Sequence, residues 1–229
     1  MKKQESVLSL PVSLWLLVNY LVGYTFIYPM LIDWICANAD LSVTMENVLK
    51  TAVYVFVFVT TVVPSRKLLR YGWERLTDSF GKCVGQIIRS QLFIFALGAG
   101  ISAILSRFGL TTSRNQQRIN NPVQKNRFYY TFMADVFAPF VEELVFRGAI
   151  FNSFRARNRK ALGYFISAFV FGFVHVMGSF FAGDYRDCLF IFIYGGLGMV
   201  LAYVYDRTDS VFCSILLHML NNAISLLGV

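Results

Sequence analysis

The sequence predicts an all-α polytopic membrane bundle of about seven transmembrane helices, the last four forming its core, and three observations carry that expectation. The 229-residue chain is 56% hydrophobic and 15% charged, with 23 Phe, 12 Tyr and a mean hydropathy of +0.56. A soluble domain is typically about 45–50% apolar and about a quarter charged. Apolar runs of span length alternate with short polar or basic segments, and about 20 apolar residues suffice to cross a bilayer. The ionisable residues inside those runs are few, and chains keep such residues mainly for function. The length suits roughly six to eight spans, so residues 1–229 are expected to form a single membrane domain, with N-terminal spans in 1–127 and the core in 128–229.

The elements follow in order. Met1 to Glu5 is short and basic through Lys2 and Lys3. An apolar run from about Val7 to Ile32 follows, interrupted by Pro11 and Pro29. Ala37-Asn38-Ala39 resembles a signal-peptidase site, but the run is far longer than an h-region of about 7–15 residues, so an uncleaved first span is expected. The second span covers about Asn47 to Val63, and Pro64 opens a segment carrying Arg66, Lys67, Arg70 and Arg75. Trp73 to Arg89 is mixed and suits the interface, with Trp73 and the basic residues as anchors. The third span runs from about Ser90 to Leu105. Arg107 to Arg127, with five basic residues and no acidic one, reads as the longest loop. Phe128 to Phe154 is the fourth span, 155–160 a tight basic turn, and Ala161 to Phe181 the fifth span. The sixth, Cys188 to Tyr205, holds Gly195, Gly196 and Gly198, which permit close helix packing. Val211 to Val229 is the seventh.

The net charge of +8 is read as loop residues that set topology, not as a footprint for nucleic acid. With the N-terminus inside, the basic segments at 66–75 and 155–160 fall in the cytoplasm, as the positive-inside rule expects. The same alternation puts 107–127 outside, against the rule. Either that loop is an exception, or a re-entrant segment near 73–90 changes the count. Cys36, Cys83, Cys188 and Cys213 lack CxxC spacing and suggest neither a disulfide framework nor a thiolate metal site.

The chemistry-bearing stretch is Met133 to Gly148, where Glu142 and Glu143 stand side by side in an apolar run. A helix turns about 100° per residue, so the two carboxylates point differently. Arg147 follows Glu143 by four residues in the favourable acid-then-base order, which assigns it to Glu143 and leaves Glu142 for chemistry. The chain has two histidines, His175 and His218, both inside apolar spans. Phe171 shares a helix face with His175, and Asn222 with His218. Counted from the 155–160 turn, Glu142 and His175 both lie about 20 Å along their helices, and His218 about 12 Å. Glu142 and His175 could hold a water and take its proton, while His218 and Asn222 could donate to the oxyanion.

Glu142-Glu143-x-x-x-Arg147, Phe171-x-x-x-His175 and His218-x-x-x-Asn222, in that order and each in its own span, resemble the CAAX protease and bacteriocin-processing family, the Abi membrane proteins. The resemblance covers about residues 128–225. It implies an intramembrane endopeptidase of glutamate type in the cell membrane, with Glu142 and His175 activating water and His218 and Asn222 binding the oxyanion. It implies a peptide or membrane-protein substrate, and the short chain resembles bacterial members acting in peptide or bacteriocin processing or in self-immunity. No cofactor is expected. Zinc is the competing expectation, with Glu142, His175 and His218 as ligands around one open position. A membrane regulator that binds a sensor kinase or bacteriocin receptor competes at the level of function. A proton-coupled transporter would require an internal repeat, and no convincing repeat is present.

Overall fold

A computed structural model describes residues 7–39, 41–125 and 127–227. These form nine helices, with no strand among the described residues. The basic segment Met1–Glu5 and the end of the predicted last span at Val229 lie outside the described residues. Helices α1 (Leu10–Ala39), α2 (Val43–Val62), α4 (Phe80–Ser106), α7 (Lys160–Phe181) and α8 (Asp187–Thr208) are long and apolar enough to cross a membrane. Helix α9 (Val211–Leu226) is apolar but shorter. The column α6, residues 127–156, changes winding four times along its length. The other two helices, α3 (Arg66–Asp78) and α5 (Arg114–Lys125), are short, α3 polar on one side and α5 polar along most of its sequence.

Helix α1 answers the two prolines differently. Pro11 sits in the first turn, where a missing N–H costs nothing. Pro29 lies in the interior, and the preceding stretch Asn19–Ile27 is wound as a π-helix, so that Tyr28 N–H donates to Gly23 five residues back. Polar side chains then clasp α1 to α2: Asn19 donates to Thr60 Oγ1 at 3.1 Å and Trp15 donates to the Thr60 carbonyl at 3.0 Å, while within α1 Tyr28 donates to Asn19 Oδ1 at 2.7 Å. In an apolar medium such groups must find one another. Their opposite faces, including Leu14, Val18, Met30 and Phe56, are exposed and suit lipid contact.

Two sequence expectations are corrected. The third span begins at Phe80, ten residues before Ser90, and 73–90 is not re-entrant: it is divided between α3 and α4. Lys82 and Arg89 mask the apolar pattern there, and long basic side chains at a helix end can reach water while their stems stay buried. The segment 107–127 is not a plain loop either, since it contains α5, capped where Ser113 Oγ accepts from Gln116 N–H at 3.1 Å.

Helix α3 buries Leu68, Tyr71, Gly72 and Leu76 and exposes Arg66, Lys67, Arg70 and Trp73, as an interfacial helix should. Its inner face docks on the α8–α9 junction. Tyr71 donates to Asp209 at 2.5 Å and Ser210 Oγ donates to the Gly72 carbonyl at 2.6 Å. Burial, with that hydrogen bond to Asp209, pushes the Tyr71 phenol up to about 12. Helices α7 and α8 cross closely: a Cβ at Gly172 would lie 2.9 Å from the Gly195 nitrogen, and one at Gly198 3.2 Å from Ala168 Cα. The 155–160 turn passes through Asn158 at φ 58°. There Arg155 pairs with Asp209 at 2.8 Å and Lys160 with Asp206 at 2.6 Å.

Candidate active site

The centre of the core is α6, where winding and chemistry change together. Met133–Phe137 is π-helical, Ala138–Glu143 α-helical and Leu144–Phe151 π-helical again. As at Pro29, a proline follows the first wide stretch. Pro139 cannot donate to the carbonyl four residues back, and Ala138 N–H already reaches Met133, five back. π-Helical stretches recur at functional sites, and this one ends at Phe137, one turn before Glu142.

Glu143 and Arg147 have no exposed side-chain surface and stand 2.9 Å apart from Oε2 to Nε, an ionic contact without hydrogen-bond alignment. The guanidinium also lies 4.8 Å over the Phe171 ring and donates to the Gly198 carbonyl at 3.4 Å. The other oxygen of Glu143 receives His218 Nδ1 at 3.1 Å. Glu142 diverges from this pair and lines a cavity of about 870 Å³ together with His175, His218 and Asn222. Its Oε2 is 3.8 Å from His218 Nε2, and its Oε1 accepts the Tyr20 hydroxyl at 2.9 Å.

Each imidazole is held from behind. His175 Nδ1 is 2.8 Å from the Phe171 carbonyl, which can only accept, so Nδ1 is the donor and a neutral ring keeps its lone pair on Nε2. The ring lies between Phe171, at 4.5 Å, and Tyr194, stacked at 4.6 Å. Phe171 meets His218 edge-on at 5.6 Å, so this one ring touches both histidines and the arginine.

The structure therefore brings Glu142, Glu143, Arg147, Phe171, His175, His218 and Asn222 into one region. It differs from the sequence reading in two partners. The Asn222 amide donates to the Ala134 carbonyl in the first π-helical stretch at 2.9 Å, leaving one N–H for other use. His218 commits Nδ1 to Glu143, so only Nε2 is presented to Glu142. Sequence reasoning missed Tyr20 and Tyr194. Tyr194 meets Ser113 Oγ at 2.5 Å and ties His175 to the cap of α5. Polar residues within the first apolar run, Asn19, Tyr20 and Tyr24, were the available signal.

Among the described residues, no three His, Cys, Asp or Glu side chains are grouped as a metal-ligand set. Glu142, His175 and His218 do not form such a set in this arrangement.

A helical membrane bundle that gathers two imidazoles and a glutamate around one cavity defines a polytopic membrane protein with ionisable side chains in its core. Residues 124–224 match the family model described as type II CAAX prenyl endopeptidase Rce1-like. The matched segment, under half of the chain, includes Glu142, Glu143, Arg147, Phe171, His175, His218 and Asn222. The chain is also similar to a protein of Bacillus subtilis (strain 168) named "Putative membrane peptidase YdiL", with 26% identity over 171 residues, 73% of this chain and 64% of that protein. The match spans less than two thirds of that relative's length. No solved structure matches.

Proposed function

We propose that the protein is an intramembrane endopeptidase in which Glu142 and His175 activate water and His218 and Asn222 meet the oxyanion. The observation that supports this most is the shared cavity: all four side chains line it, while His175 and His218 are each fixed through Nδ1. The matched family's description as an endopeptidase points the same way.

In the proposed reaction, water gives one proton to Glu142 while His175 Nε2 accepts a hydrogen bond from the other. The water oxygen bonds to the carbonyl carbon of the scissile peptide, and the carbonyl π pair moves onto its oxygen. The free N–H of Asn222 donates to that oxyanion. His218 adds a second donor from Nε2 when both of its ring nitrogens carry protons. Collapse reforms the carbonyl and breaks the C–N bond, and the leaving nitrogen takes the proton from Glu142. Phe171 and the Glu143–Arg147 pair position these groups without touching the substrate. No metal or other cofactor enters this scheme. The proposed substrates are peptides or membrane-protein segments, in bacteriocin or peptide processing or in self-immunity.

The test is cleavage of a quenched-fluorescent peptide library by the protein in proteoliposomes. Glu142→Gln and His175→Ala are expected to abolish cleavage while the variants remain folded. Asn222→Ala is expected to lower kcat by about 10²–10³ with KM unchanged, because an oxyanion exists only on the reaction path. Elemental analysis of the active preparation checks for zinc. A cellular phenotype that survives intact in both Glu142→Ala and His175→Ala would replace the protease with a docking regulator.

A further inference from the structure

Tyr20 is 3% exposed, and its hydroxyl donates to Glu142 Oε1 at 2.9 Å across 122 residues of sequence. The phenol ring is fixed on two sides. It stacks on Tyr24 with centroids 5.5 Å apart at 24°, and meets Phe146 edge-on at 5.6 Å. Phe146 belongs to the π-helical stretch that directly follows Glu143. Tyr20 itself lies in the π-helical stretch of α1, whose wide i→i+5 turn brings Tyr20, Tyr24 and Thr25 together on the cavity wall.

The two oxygens of Glu142 are consequently different. Oε1 is occupied by the phenol, whereas Oε2 is buried, has no hydrogen bond and stands 3.8 Å from His218 Nε2. A buried carboxylate oxygen without a donor is costly and is seldom retained without use. A group that must accept a proton needs a lone pair free of other donors.

We infer that Tyr20, on the first helix and outside the segment matched to the family model, is a positioning residue. It anchors Oε1 and so assigns Oε2 as the atom that takes the proton from water and returns it to the leaving nitrogen. This rests on the endopeptidase reading above. Freed of its anchor, the carboxylate can rotate about its last bond, and misplacement by about 1 Å can cost 10²-fold.

The experiment uses the full chain in lipid nanodiscs and two donor-free variants, Tyr20→Phe, which keeps both ring contacts, and Tyr20→Met. On a peptide that the wild type cleaves, kcat should fall about 10–100-fold in both, with KM within about twofold of wild type. Infrared difference spectra, with the Glu142 carboxylate band assigned through Glu142→Gln, should show that band displaced in Tyr20→Phe. The infrared readout needs no substrate, so it tests the hydrogen bond even if the chain cleaves nothing. An unmoved band overturns the proposal, and so does a displaced band with unchanged kcat. A rise in KM alone would make Tyr20 a substrate contact and overturn it as well. A band displaced in Tyr20→Phe, together with a wild-type chain that cleaves no peptide, would leave the bond standing and overturn both the endopeptidase reading and the role assigned to Tyr20 within it.

Discussion

Arg147 has no exposed surface and meets Glu143 at 2.9 Å, and Glu143 in turn holds His218 Nδ1. Removing one partner of a buried pair typically costs about 3–5 kcal/mol, because the other charge is stranded. Glu143→Ala should therefore express poorly and lose activity, whereas Glu142→Gln should lose activity and still purify as a folded species. The double variant Glu143→Gln/Arg147→Met should recover expression beyond either single change, as measured by size-exclusion profile and thermal denaturation. Equal stability of all three would mean that the pair does not hold the site together. The pairing was legible because it is local: four residues in acid-then-base order fix one helix face. The need of Asn222 for a polar partner was legible too, but not its identity, since the Ala134 carbonyl is reached on another helix. Tyr20 was hidden for the same reason. Its role is set by tertiary contact alone, and nothing in its neighbours' spacing points to position 142.

Among the elements, apolar runs located the five helices long enough to span, apart from the start of the third, whereas the expected fourth and seventh spans are not among those five and local charge misled where tertiary structure took over. Helix α5 is a case in point. Its sequence lacks an apolar stripe, and its first turn is fixed from outside: Arg114 N–H donates to Asp187 at 3.0 Å and the Arg114 guanidinium meets Asp184 at 2.9 Å. The π-helical stretches were equally illegible, although Pro29 and Pro139 marked where regular winding had to change. The glycines of α8 were legible as packing sites. The corresponding test is on α7. Gly172→Ala would drive a Cβ against the backbone of Gly195 and Ile191, at 2.9 and 3.0 Å, and backbone on both sides leaves little room to relax. A loss of about 1–3 kcal/mol is expected. Gly98→Ala on α4, with nothing within 4 Å of the added carbon, should leave the denaturation midpoint unchanged. Similar midpoints for the two would mean that α7 and α8 do not rely on close backbone approach.

For the molecule as a whole, the sequence reading puts the 155–160 turn in the cytoplasm. Arg157, Asn158, Arg159 and Lys160 are exposed there. An Asn158→Cys variant should resist a membrane-impermeant thiol reagent in intact cells and react after permeabilisation, and labelling from outside would reverse the orientation. The folded turn is electrically quieter than its sequence, because Arg155 and Lys160 are matched by Asp206 and Asp209. Those aspartates leave the ribosome about fifty residues later, roughly 3–10 s at ordinary synthesis rates. During that interval the turn presents its full positive charge, and orientation is decided by such unpaired loop charges. Once α8 arrives, the same arginine is withdrawn from the solvent side and clamps the ends of three helices. If the turn faces the cytoplasm as the sequence predicts, it acts twice in succession, first as an address for the insertion machinery and afterwards as a latch joining the ends of α6, α7 and α8.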